Sequence, residues 1–524
     1  MNLIHILQSQ AQIHPTQPAI IDTYRQQRRV TTFAELEHQS AQMAALLHHS
    51  GLRPGDSVLV FLPMSAELYI VLGAIFRLGL IAMFLDPGQG RAHIEACCAL
   101  HPPQAFIAGS KAHLLRLVSP ALRRISRKFV VGLPVPGATS WQQAASLSPQ
   151  SDVFAADDAT PALLTFTSGS TGQPKAALRT HGFLLAQHRV LADSLQLSAG
   201  QIDLSTMPIV ALANMASGVT SLIPKADLRY PGLIDPAPVI AQMQSERVDS
   251  TVASPALLTR LADYGLSQQI HLPGLKKIFT GGAPVFPNLL DRLRQLAPNA
   301  DVVAVYGSTE AEPMAKISVD AISLDDRHAM QTGCGLLAGL PVEAIQLRIL
   351  PDRWGKPIGP YTRADFAADC CAPGEFGEIV VSGDHVLTRY LHGQGDIETK
   401  FHVGNTIWHR TGDAGYLDAH GRVWLLGRCA ARIDDEYGQL YPFSVECAVS
   451  SEPDIQRGAV VAHQKRRTLL IECTQPVNAA RLAELKQTLH WAAIEDIRIV
   501  KNLPLDKRHN AKIDYPALQR QLID

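Results

Sequence analysis

The sequence feature that most constrains the fold is an apolar run that leads directly into a loop of glycine and hydroxyl residues. The run ALLTF at 162–166 is followed by TSGSTGQPKA at 167–176. Glycines let a backbone approach an anion closely, while hydroxyl groups and a lysine donate hydrogen bonds to it. Clusters of this composition are usually surface turns. A buried strand that ends in such a loop is, however, where α/β folds bind ligands. The predicted phosphate contacts are Thr167, Ser168, Gly169, Ser170, Thr171, Gly172 and Lys175.

Strand-like and helix-like patterns alternate over most of the chain. The segment 32–51 has its apolar residues on one helical face, with Thr32 as N-cap, Glu35 three residues later and Gly51 as a stop. A turn and buried strand follow at 53–63, and the alternation continues through 239–262, 275–284, 287–296 and 302–307. We therefore predict an α/β protein whose large N-terminal domain, 1–427, contains helix-covered and mainly parallel sheets.

The pattern changes near residue 372, where short alternating runs are broken by Gly and Asp. This texture predicts a small antiparallel sheet or barrel-like subdomain over about 340–427. A mixed α and β segment follows. We place the main domain boundary at 427–428, which leaves 428–524 as a small C-terminal α+β domain.

Composition excludes several functional classes. The 47 basic and 48 acidic side chains give a formal charge of −1, which does not indicate nucleic acid or an anionic membrane surface as the main partner. Eight cysteines without CxxC spacing favour reduced thiols over a zinc site or a disulfide scaffold. The apolar segment 69–85 contains Arg77 and two glycines, so we interpret it as a buried helix, a turn and a core strand rather than a membrane span. With no signal-peptide pattern at the N-terminus, we expect a cytoplasmic protein.

Three further motifs carry functional groups. In YGSTE, 306–310, the tyrosine ring can stack on a base, Thr309 can bind phosphate and Glu310 can hold Mg²⁺. Asp413 lies between glycines, which predicts a tight turn and a carboxylate that accepts hydrogen bonds from two hydroxyls; a plain Asx-turn is the alternative. Lys512 lies in a basic, loop-like segment near the C-terminus, where a solvated face is the alternative.

Together with the loop at 167–176, these motifs resemble, in order and spacing, those of the adenylate-forming superfamily of acyl-CoA synthetases, luciferases and peptide-synthetase adenylation domains. The resemblance implies a mobile C-terminal domain and the reaction of a carboxylate with Mg·ATP to give acyl-AMP and pyrophosphate. It implies that Lys512, Thr309 and Glu310 are catalytic, and that Glu310 holds the metal. The implied nucleotide contacts beyond the phosphate loop are Gly282, Ala283, Pro284, Tyr306, Gly307, Ser308, Asp413 and Arg428.

The acyl pocket of such enzymes corresponds to STMPIVALANMASGVTSLIP, 205–224, which contains no acidic residue. Because a buried ammonium without a partner is costly, an α-amino acid is disfavoured as substrate. Small and apolar side chains suit an alkyl chain instead, although about half of them are equally well explained as helix core. The predicted pocket residues are Met207, Val210, Asn214, Gly282 and Gly307.

A closer resemblance, to the fatty-acyl-ligase-like β-lactone synthetases of olefin biosynthesis, comes from two segments. They are WHRTGDAGYLDAHGRVWLLGR, 408–428, and PLDKRHNAKI, 504–513. That resemblance implies a fatty or 3-hydroxy fatty acid that is adenylated and then cyclised by its own hydroxyl. The alternatives are a fatty-acyl-CoA ligase and a stand-alone protein that loads an acyl carrier protein, with CoA or the carrier as acceptor. The hinge segment CAARIDDEYG, with Ala431 and Asp434, departs from the pattern of thiol-using relatives. We expect ATP and Mg²⁺ as cofactors and a small carboxylic acid as partner.

Overall fold

A computed structural model describes residues 1–168, 174–505 and 513–523. The predicted alternation of helices and strands is present along its length. In the described residues the α-helices are α1 Ile4–Ile13, α2 Phe33–His49, α3 Ala66–Arg77, α4 Arg91–Leu100, α5 Leu115–Val118, α6 Pro120–Arg124, α7 His181–Leu195, α8 Pro208–Ala216, α9 Pro236–Ser245, α10 Pro255–Ser267, α11 Pro287–Leu296, α12 Leu324–Gln331, α13 Arg363–Asp369, α14 Asp396–Thr399, α15 Pro442–Val449, α16 Ala479–Thr488 and α17 Tyr515–Ile523.

The β-strands of the same residues are numbered in chain order. They are β1 Pro18–Tyr24, β2 Gln27–Thr32, β3 Ser57–Phe61, β4 Ile81–Phe84, β5 Ala105–Gly109, β6 Arg127–Val131, β7 Thr139–Ser140, β8 Pro161–Ser168, β9 Pro174–Thr180, β10 Ile202–Ser205, β11 Thr220–Leu222, β12 Ser250–Ala253, β13 Lys277–Gly281, β14 Asp301–Ser308, β15 Ala311–Ser318, β16 Leu336–Pro341, β17 Gln346–Leu350, β18 Gly377–Ser382, β19 Lys400–Val403, β20 Thr406–Leu417, β21 Val423–Arg428, β22 Ile433–Asp435, β23 Gly438–Leu440, β24 Ile455–His463, β25 Arg466–Cys473 and β26 Asp496–Ile499.

Internal contacts divide the chain into two units. The first comprises Met1–Ala226, Ala241–Val252 and Arg389–Asp396. It contains a seven-stranded sheet in the order β7-β6-β5-β3-β4-β8-β9, parallel except for the last pair. It also contains the parallel strands β12, β10, β11 and β1, with β2 antiparallel at the edge. The prediction of mainly parallel, helix-covered sheets is confirmed.

Local signals explain the helices of this unit. Thr32 accepts a hydrogen bond from the Glu35 N–H, and the Glu35 carboxylate accepts one from the Thr32 N–H, so the predicted capping box starts α2. The apolar segment 69–85 forms most of α3 followed by β4, both buried, as predicted. The guanidinium of Arg77, at the end of α3, is buried and pairs with Glu37. Among the described residues, no helix is both long enough and apolar enough to span a bilayer.

The second unit comprises Asp227–Ile240, Ala253–Thr388 and Ile397–Asp524. Strands β13 and β14 are parallel, and from β14 onward the order β14-β15-β16-β21-β20-β18-β17 is antiparallel, with β19 beside β20. This antiparallel sheet occupies the predicted β-rich region. The predicted tight turn at Asp413 is wrong: Asp413 lies within β20, where its Cα pairs with that of Arg428 in β21.

The C-terminal part of the second unit has its own small core. Strands β24, β25 and β26 form a three-stranded sheet, and α15 and α16 pack against it through Val445, Val449 and Leu485. The predicted boundary at 427–428 coincides with the last two residues of β21. The role of this boundary as a hinge, and the mobility of residues 428–524, stay predictions.

Candidate functional site

The predicted phosphate loop begins at the end of a buried strand. Strands β8 and β9 pair antiparallel, with Thr167 opposite Lys175 and Ser168 opposite Pro174, so the two strands form a hairpin around the loop. In β8, Ala162 and Leu164 are fully buried. Gly169, Ser170, Thr171 and Gly172 lie outside the described residues.

Lys175, the second residue of β9, packs against the segment 389–396 of the same unit. Its Nζ lies 5.8 Å from the centre of the Tyr390 ring, a cation–π distance. Gly395, with a φ of +103°, leaves room for it: a Cβ at that position would lie 2.8 Å from the lysine Nζ. Only glycine fits there without moving the lysine. The position of the predicted phosphate cation is therefore set by an aromatic face and a glycine.

Tyr306, Asp413 and Arg428 form one hydrogen-bonded cluster. The Tyr306 hydroxyl donates to Asp413 Oδ2 at 2.7 Å, and Arg428 Nη1 donates to Asp413 Oδ1 at 2.6 Å. The Asp413 N–H donates to Thr411 Oγ1 at 3.0 Å, which fixes the local backbone. Each carboxylate oxygen can accept two hydrogen bonds, so both oxygens of Asp413 keep acceptor capacity for a further hydroxyl.

The electrostatics of this cluster fix its protonation state. Burial raises the pKa of Tyr306 well above its usual value, and the adjacent Asp413 carboxylate raises it further. The Asp413 charge also raises the pKa of the Arg428 guanidinium. Tyr306 is consequently a neutral donor and Arg428 a cation at physiological pH, and both orient the same carboxylate.

Two of the predicted nucleotide segments meet at one sheet edge. In the parallel pair β13 and β14, Gly281 is opposite Val305, so Gly282 and Tyr306 each follow at the carboxyl end of neighbouring strands. Gly282 has a φ of +82° and turns the chain toward Ala283 and Pro284. Carboxyl ends of parallel strands are the usual ligand edge of an α/β sheet.

Residues 307–310 form the bulged end of β14 and the turn into β15. The register of the β14–β15 pairing shifts between Tyr306 and Ser308, so Gly307 lies at an irregular, bulged position of β14. The Glu310 N–H donates to Ser308 Oγ at 3.3 Å, and the Leu387 N–H donates to the Glu310 carbonyl at 2.7 Å. Thr309 and Glu310 are half-buried in this turn. The backbone of the candidate magnesium ligand is therefore fixed from two sides.

No cluster of three or more His, Cys, Asp or Glu side chains suited to a metal lies in 1–168, 174–505 or 513–523. A Mg²⁺ ion usually binds one or two carboxylates together with substrate phosphates and water, so Glu310 alone is compatible with that mode. Lys512 lies outside the described residues. The flanks of its segment are held together by a Leu505–Ile513 bridge and by the Asp514 N–H donating to the Pro504 carbonyl at 2.9 Å.

The predicted acyl-pocket residues lie on and beside α8. Met207 is the N-cap of this helix, and Val210 is buried in its first turn. Asn214 is fully buried, and its Nδ2 lies 2.9 Å from both Asp203 Oδ2 and Ser205 Oγ, on strand β10. Its amide therefore ties α8 to the sheet. A direct contact of these three residues with substrate stays a prediction.

Asp203 lies at the centre of this polar cluster, although the sequence analysis did not predict a role for it. Ser205 Oγ donates to its Oδ2 at 2.7 Å and Ser250 Oγ to its Oδ1 at 2.9 Å. Burial raises the pKa of Asp203 to about 6, although the hydrogen bonds oppose the rise. An acidic residue between the two apolar residues Ile202 and Leu204 of β10 was the available signal.

An apolar cavity, partly open to solvent, lies between four helices of the first unit. Its wall from α8 consists of Ile209, Leu212, Ala213, Met215 and Ala216. Helices α1, α3 and α7 supply the other walls, through Ile6, Phe76 and Leu191 among others. Pockets for small ligands are lined predominantly by apolar side chains, as this cavity is. The α8 side chains that line this cavity are thus close in sequence to Met207 and Val210, which were predicted to line the acyl pocket.

Comparison with known proteins gives a consistent result. The family model described as "AMP-binding enzyme" matches residues 7–391. Proteins named olefin beta-lactone synthetase from Xanthomonas campestris pv. campestris and Stenotrophomonas maltophilia are 32% and 31% identical, and each alignment covers 93% of this chain and 90% of the relative. The structure of O-succinylbenzoate coenzyme A synthetase from Bacillus subtilis, in complex with ATP and magnesium ion, superposes with a TM-score of 0.77 at 22% identity, over 99% of both chains.

Proposed function

Because the chain belongs to the family of AMP-binding enzymes, and is an AMP-forming acyl ligase or synthetase, we propose that its substrate is a medium- or long-chain 3-hydroxy acid and its product a β-lactone. The acid's carboxylate oxygen attacks the α-phosphorus of ATP and pyrophosphate leaves. The 3-hydroxyl oxygen then attacks the acyl carbonyl carbon and loses its proton, while AMP leaves with the bonding electron pair. One ATP is consumed and no thiol is required.

The hydrogen-bonded carboxylate of Asp413 is the observation that carries the nucleotide part of the proposal. Tyr306 and Arg428 fix its orientation, and its remaining lone pairs accept the two ribose hydroxyls. Gly282, Ala283 and Pro284 follow the strand adjacent to Tyr306 and provide the adenine contact. These residues form a rigid acceptor before nucleotide arrives, so little reorganisation accompanies binding.

Charge neutralisation is the main chemical task of the first step, since several anions meet at the α-phosphorus. Glu310 would hold Mg²⁺, which neutralises phosphate charge when bound. Thr309 donates to phosphate, Lys175 is an auxiliary cation, and Lys512 bridges the attacking carboxylate and the α-phosphate. A preorganised donor at such a position contributes about 3–4 kcal/mol to transition-state stabilisation.

The apolar cavity beside α8 supports an aliphatic acyl chain. Leu212, Met215 and Ala216 offer hydrocarbon surface, and burying each methylene of a chain there is worth about 0.8 kcal/mol. The carboxylate that contacts α8 from the sheet, Asp203, already accepts hydrogen bonds from Ser205, Ser250 and Asn214. It is therefore poorly placed to pair with a substrate ammonium, which again disfavours an amino acid.

The similarity to two olefin beta-lactone synthetases over nearly the whole chain supports intramolecular closure as the second step. The departure at Ala431 and Asp434 from the hinge pattern of thiol-using relatives points the same way. A fatty-acyl-CoA ligase is the second candidate, because it would use the same adenylation residues.

Product analysis distinguishes the two candidates. The protein is incubated with ATP, Mg²⁺ and 3-hydroxydecanoate or longer homologues, with and without CoA, and products are identified by mass spectrometry. A product lighter than the acid by one water, formed without CoA, is expected. Formation of an acyl-CoA only, with no lactone in either reaction, would assign the ligase function instead.

Acid-dependent exchange of label between pyrophosphate and ATP tests the first step by itself. Exchange is expected with fatty and 3-hydroxy fatty acids, and not with α-amino acids. Folded protein that shows no exchange with any carboxylic acid in the presence of Mg²⁺ would refute the adenylation proposal, whatever the outcome of the product analysis.

A further inference from the structure

The balanced charge of the whole chain hides a long segment without acidic residues. Between Glu95 and Asp152 the sequence contains no Asp or Glu, but it contains Lys111, Arg116, Arg123, Arg124, Arg127 and Lys128. The segment includes β5, β6, β7, α5 and α6, at one end of the seven-stranded sheet. One part of the surface therefore differs strongly in charge from the average of the molecule.

The same segment exposes large aliphatic side chains. Leu114 is 64% exposed, Leu117 75% and Val118 52%. They stand at positions i, i+3 and i+4 of one helical stretch, a spacing that places side chains on a common face. Leu133, in the loop after β6, is 73% exposed. We name the surface formed by Leu114, Leu117, Val118, Leu133, Lys111 and Arg124 the basic-apolar patch.

The backbone beneath the patch is firmly anchored. The inner face of the helical stretch packs on the hydrophobic core through Ala112 and Leu115, and the buried His113 Nε2 lies 3.0 Å from the Phe129 carbonyl oxygen. Ser110 Oγ donates to the Leu133 carbonyl at 2.8 Å, and Arg116 Nη1 donates to the Pro136 carbonyl at 3.2 Å. The helical stretch is therefore held in place by its inner residues, which pack on the core, while Leu114, Leu117 and Val118 face solvent.

The exposed charged side chains beside these apolar residues are basic. Lys111, Arg123 and Arg124 are exposed, and Arg123 donates to the carbonyls of Arg116 and Leu117 at the end of α5. The nearest acidic residue in sequence, Glu95, is half-buried and accepts hydrogen bonds from Ser119 Oγ and the Ala121 N–H. Its charge is thus directed to the start of α6 rather than to solvent.

From this combination we propose that the basic-apolar patch docks the protein on anionic phospholipid surfaces. Exposed leucines that enter the headgroup region, together with cations that attract anionic lipid, are the two components of interfacial binding. Protein interfaces are usually enriched in Tyr, Trp and Phe, whereas the patch contains no aromatic residue and its cations complement anionic headgroups. The proposal concerns a surface and does not depend on which acid is the substrate.

Cosedimentation with vesicles tests the proposal. The full-length protein is mixed with vesicles of phosphatidylglycerol and phosphatidylcholine in equal parts, and with pure phosphatidylcholine, at an ionic strength of about 0.1 M. We expect binding to the anionic vesicles that is at least about tenfold stronger than to the neutral ones, and that weakens with added salt.

Three variants separate the two components. Leu117→Glu removes an apolar contact and adds an anion, so binding should fall at least about tenfold. The double variant Lys111→Ala, Arg124→Ala should reduce the preference for anionic lipid. Leu324→Glu, at a leucine that is 84% exposed on α12 of the other unit, is the matched control and should bind as the wild type does.

Two results would overturn the proposal. One is wild-type protein that does not sediment with anionic vesicles. The other is vesicle binding that Leu117→Glu and the double variant leave unchanged. If light scattering instead detects self-association that Leu117→Glu abolishes, without lipid binding, the patch is a protein interface and the lipid proposal fails.

Discussion

At the residue scale, we expect nucleotide affinity in the proposed site to depend on one carboxylate. Asp413 is oriented by Tyr306 and Arg428, and its remaining lone pairs are the proposed acceptors for a ribose. Asp413→Asn keeps the size of the side chain but removes the charge and replaces an acceptor by a donor. Since hydrogen bonds to charged groups contribute about 1.5–3 kcal/mol, the KM for ATP should rise about 10–100-fold in the pyrophosphate exchange assay.

Tyr306→Phe is the matched control for that variant. It keeps the ring, which is the candidate base-stacking surface, and loses only the hydroxyl donor to Asp413. The expected rise in the KM for ATP is only a few-fold, because the carboxylate still pairs with Arg428. An unchanged KM in Asp413→Asn would show that Asp413 does not contact nucleotide.

Glu446 gives a prediction about pH at the same scale. Burial raises its pKa from 4.5 to about 7, although the hydroxyl of Tyr515 donates to it and opposes the rise. Above pH 4.5 the unfolded chain loses this proton while the folded protein keeps it up to about pH 7. The free energy of unfolding should therefore fall as pH rises between these two pKa values, by about 1.4 kcal/mol for each pH unit, and then level off.

Glu446→Gln removes this contribution. Chemical denaturation of both proteins at pH 5 and pH 8 gives the comparison. The variant should lose less stability than the wild type on going to the higher pH. An equal loss in both proteins would mean that Glu446 is ionised throughout, contrary to its raised pKa.

At the element scale, the sequence predicted those features whose cause is local. The capping residues Thr32 and Glu35 start α2, and the predicted helix at 287–296 is α11, Pro287–Leu296. The turn predicted at Asp413 failed because Gly412 and Gly415 serve another purpose. A Cβ at position 412 would approach the Trp354 ring to 2.8 Å, and a Cβ at position 415 would lie 2.3 Å from the Trp424 carbonyl oxygen. Gly412 also has a φ of +69°, and the close approaches of Trp354 and Trp424, which sequence patterns do not reveal, account for the two glycines.

The cavity beside α8 leads to a prediction for that element. Ala216 lines it, so Ala216→Phe should fill part of its volume. The ratio of kcat/KM for a long acid to that for a short one should fall about 10–200-fold, as expected when a pocket loses room for a methylene or more. Exchange rates over a series of fatty acids of increasing length measure the ratio.

Ala92→Phe, at an exposed position of α4, controls for the general effect of an added ring. Its preference for chain length should equal that of the wild type. If Ala216→Phe keeps the wild-type preference while its thermal unfolding shows a folded protein, the acyl chain binds elsewhere.

At the scale of the whole molecule, the candidate site is assembled from distant parts of the chain. The hydrogen bond between Tyr306 and Asp413 joins residues 107 positions apart. The resemblance to a family predicted that both residues serve the nucleotide, but their direct pairing could not be inferred from the strand order, in which β14 and β20 are separated by β15, β16 and β21. Asp203 belongs to none of the motifs that carry the family resemblance, so its hydrogen bonds to Ser205 and Asn214 became visible only in the structure.

A variant at Lys512 should separate the two proposed half-reactions, because the proposed contribution of this lysine is to the first. Lys512→Ala should reduce pyrophosphate exchange at least about 100-fold, since it removes a cation from the adenylation transition state. Supplied with preformed 3-hydroxyacyl-AMP, the same variant should release β-lactone within about threefold of the wild-type rate, because the cyclisation displaces AMP without attack at phosphorus. Lys501→Ala, at an exposed lysine of the same C-terminal part, is the matched control and should leave both rates unchanged. A variant that retains wild-type exchange would remove Lys512 from the catalytic residues. A variant that loses both activities equally would assign Lys512 to both steps, and the prediction that it acts only in the first would be wrong.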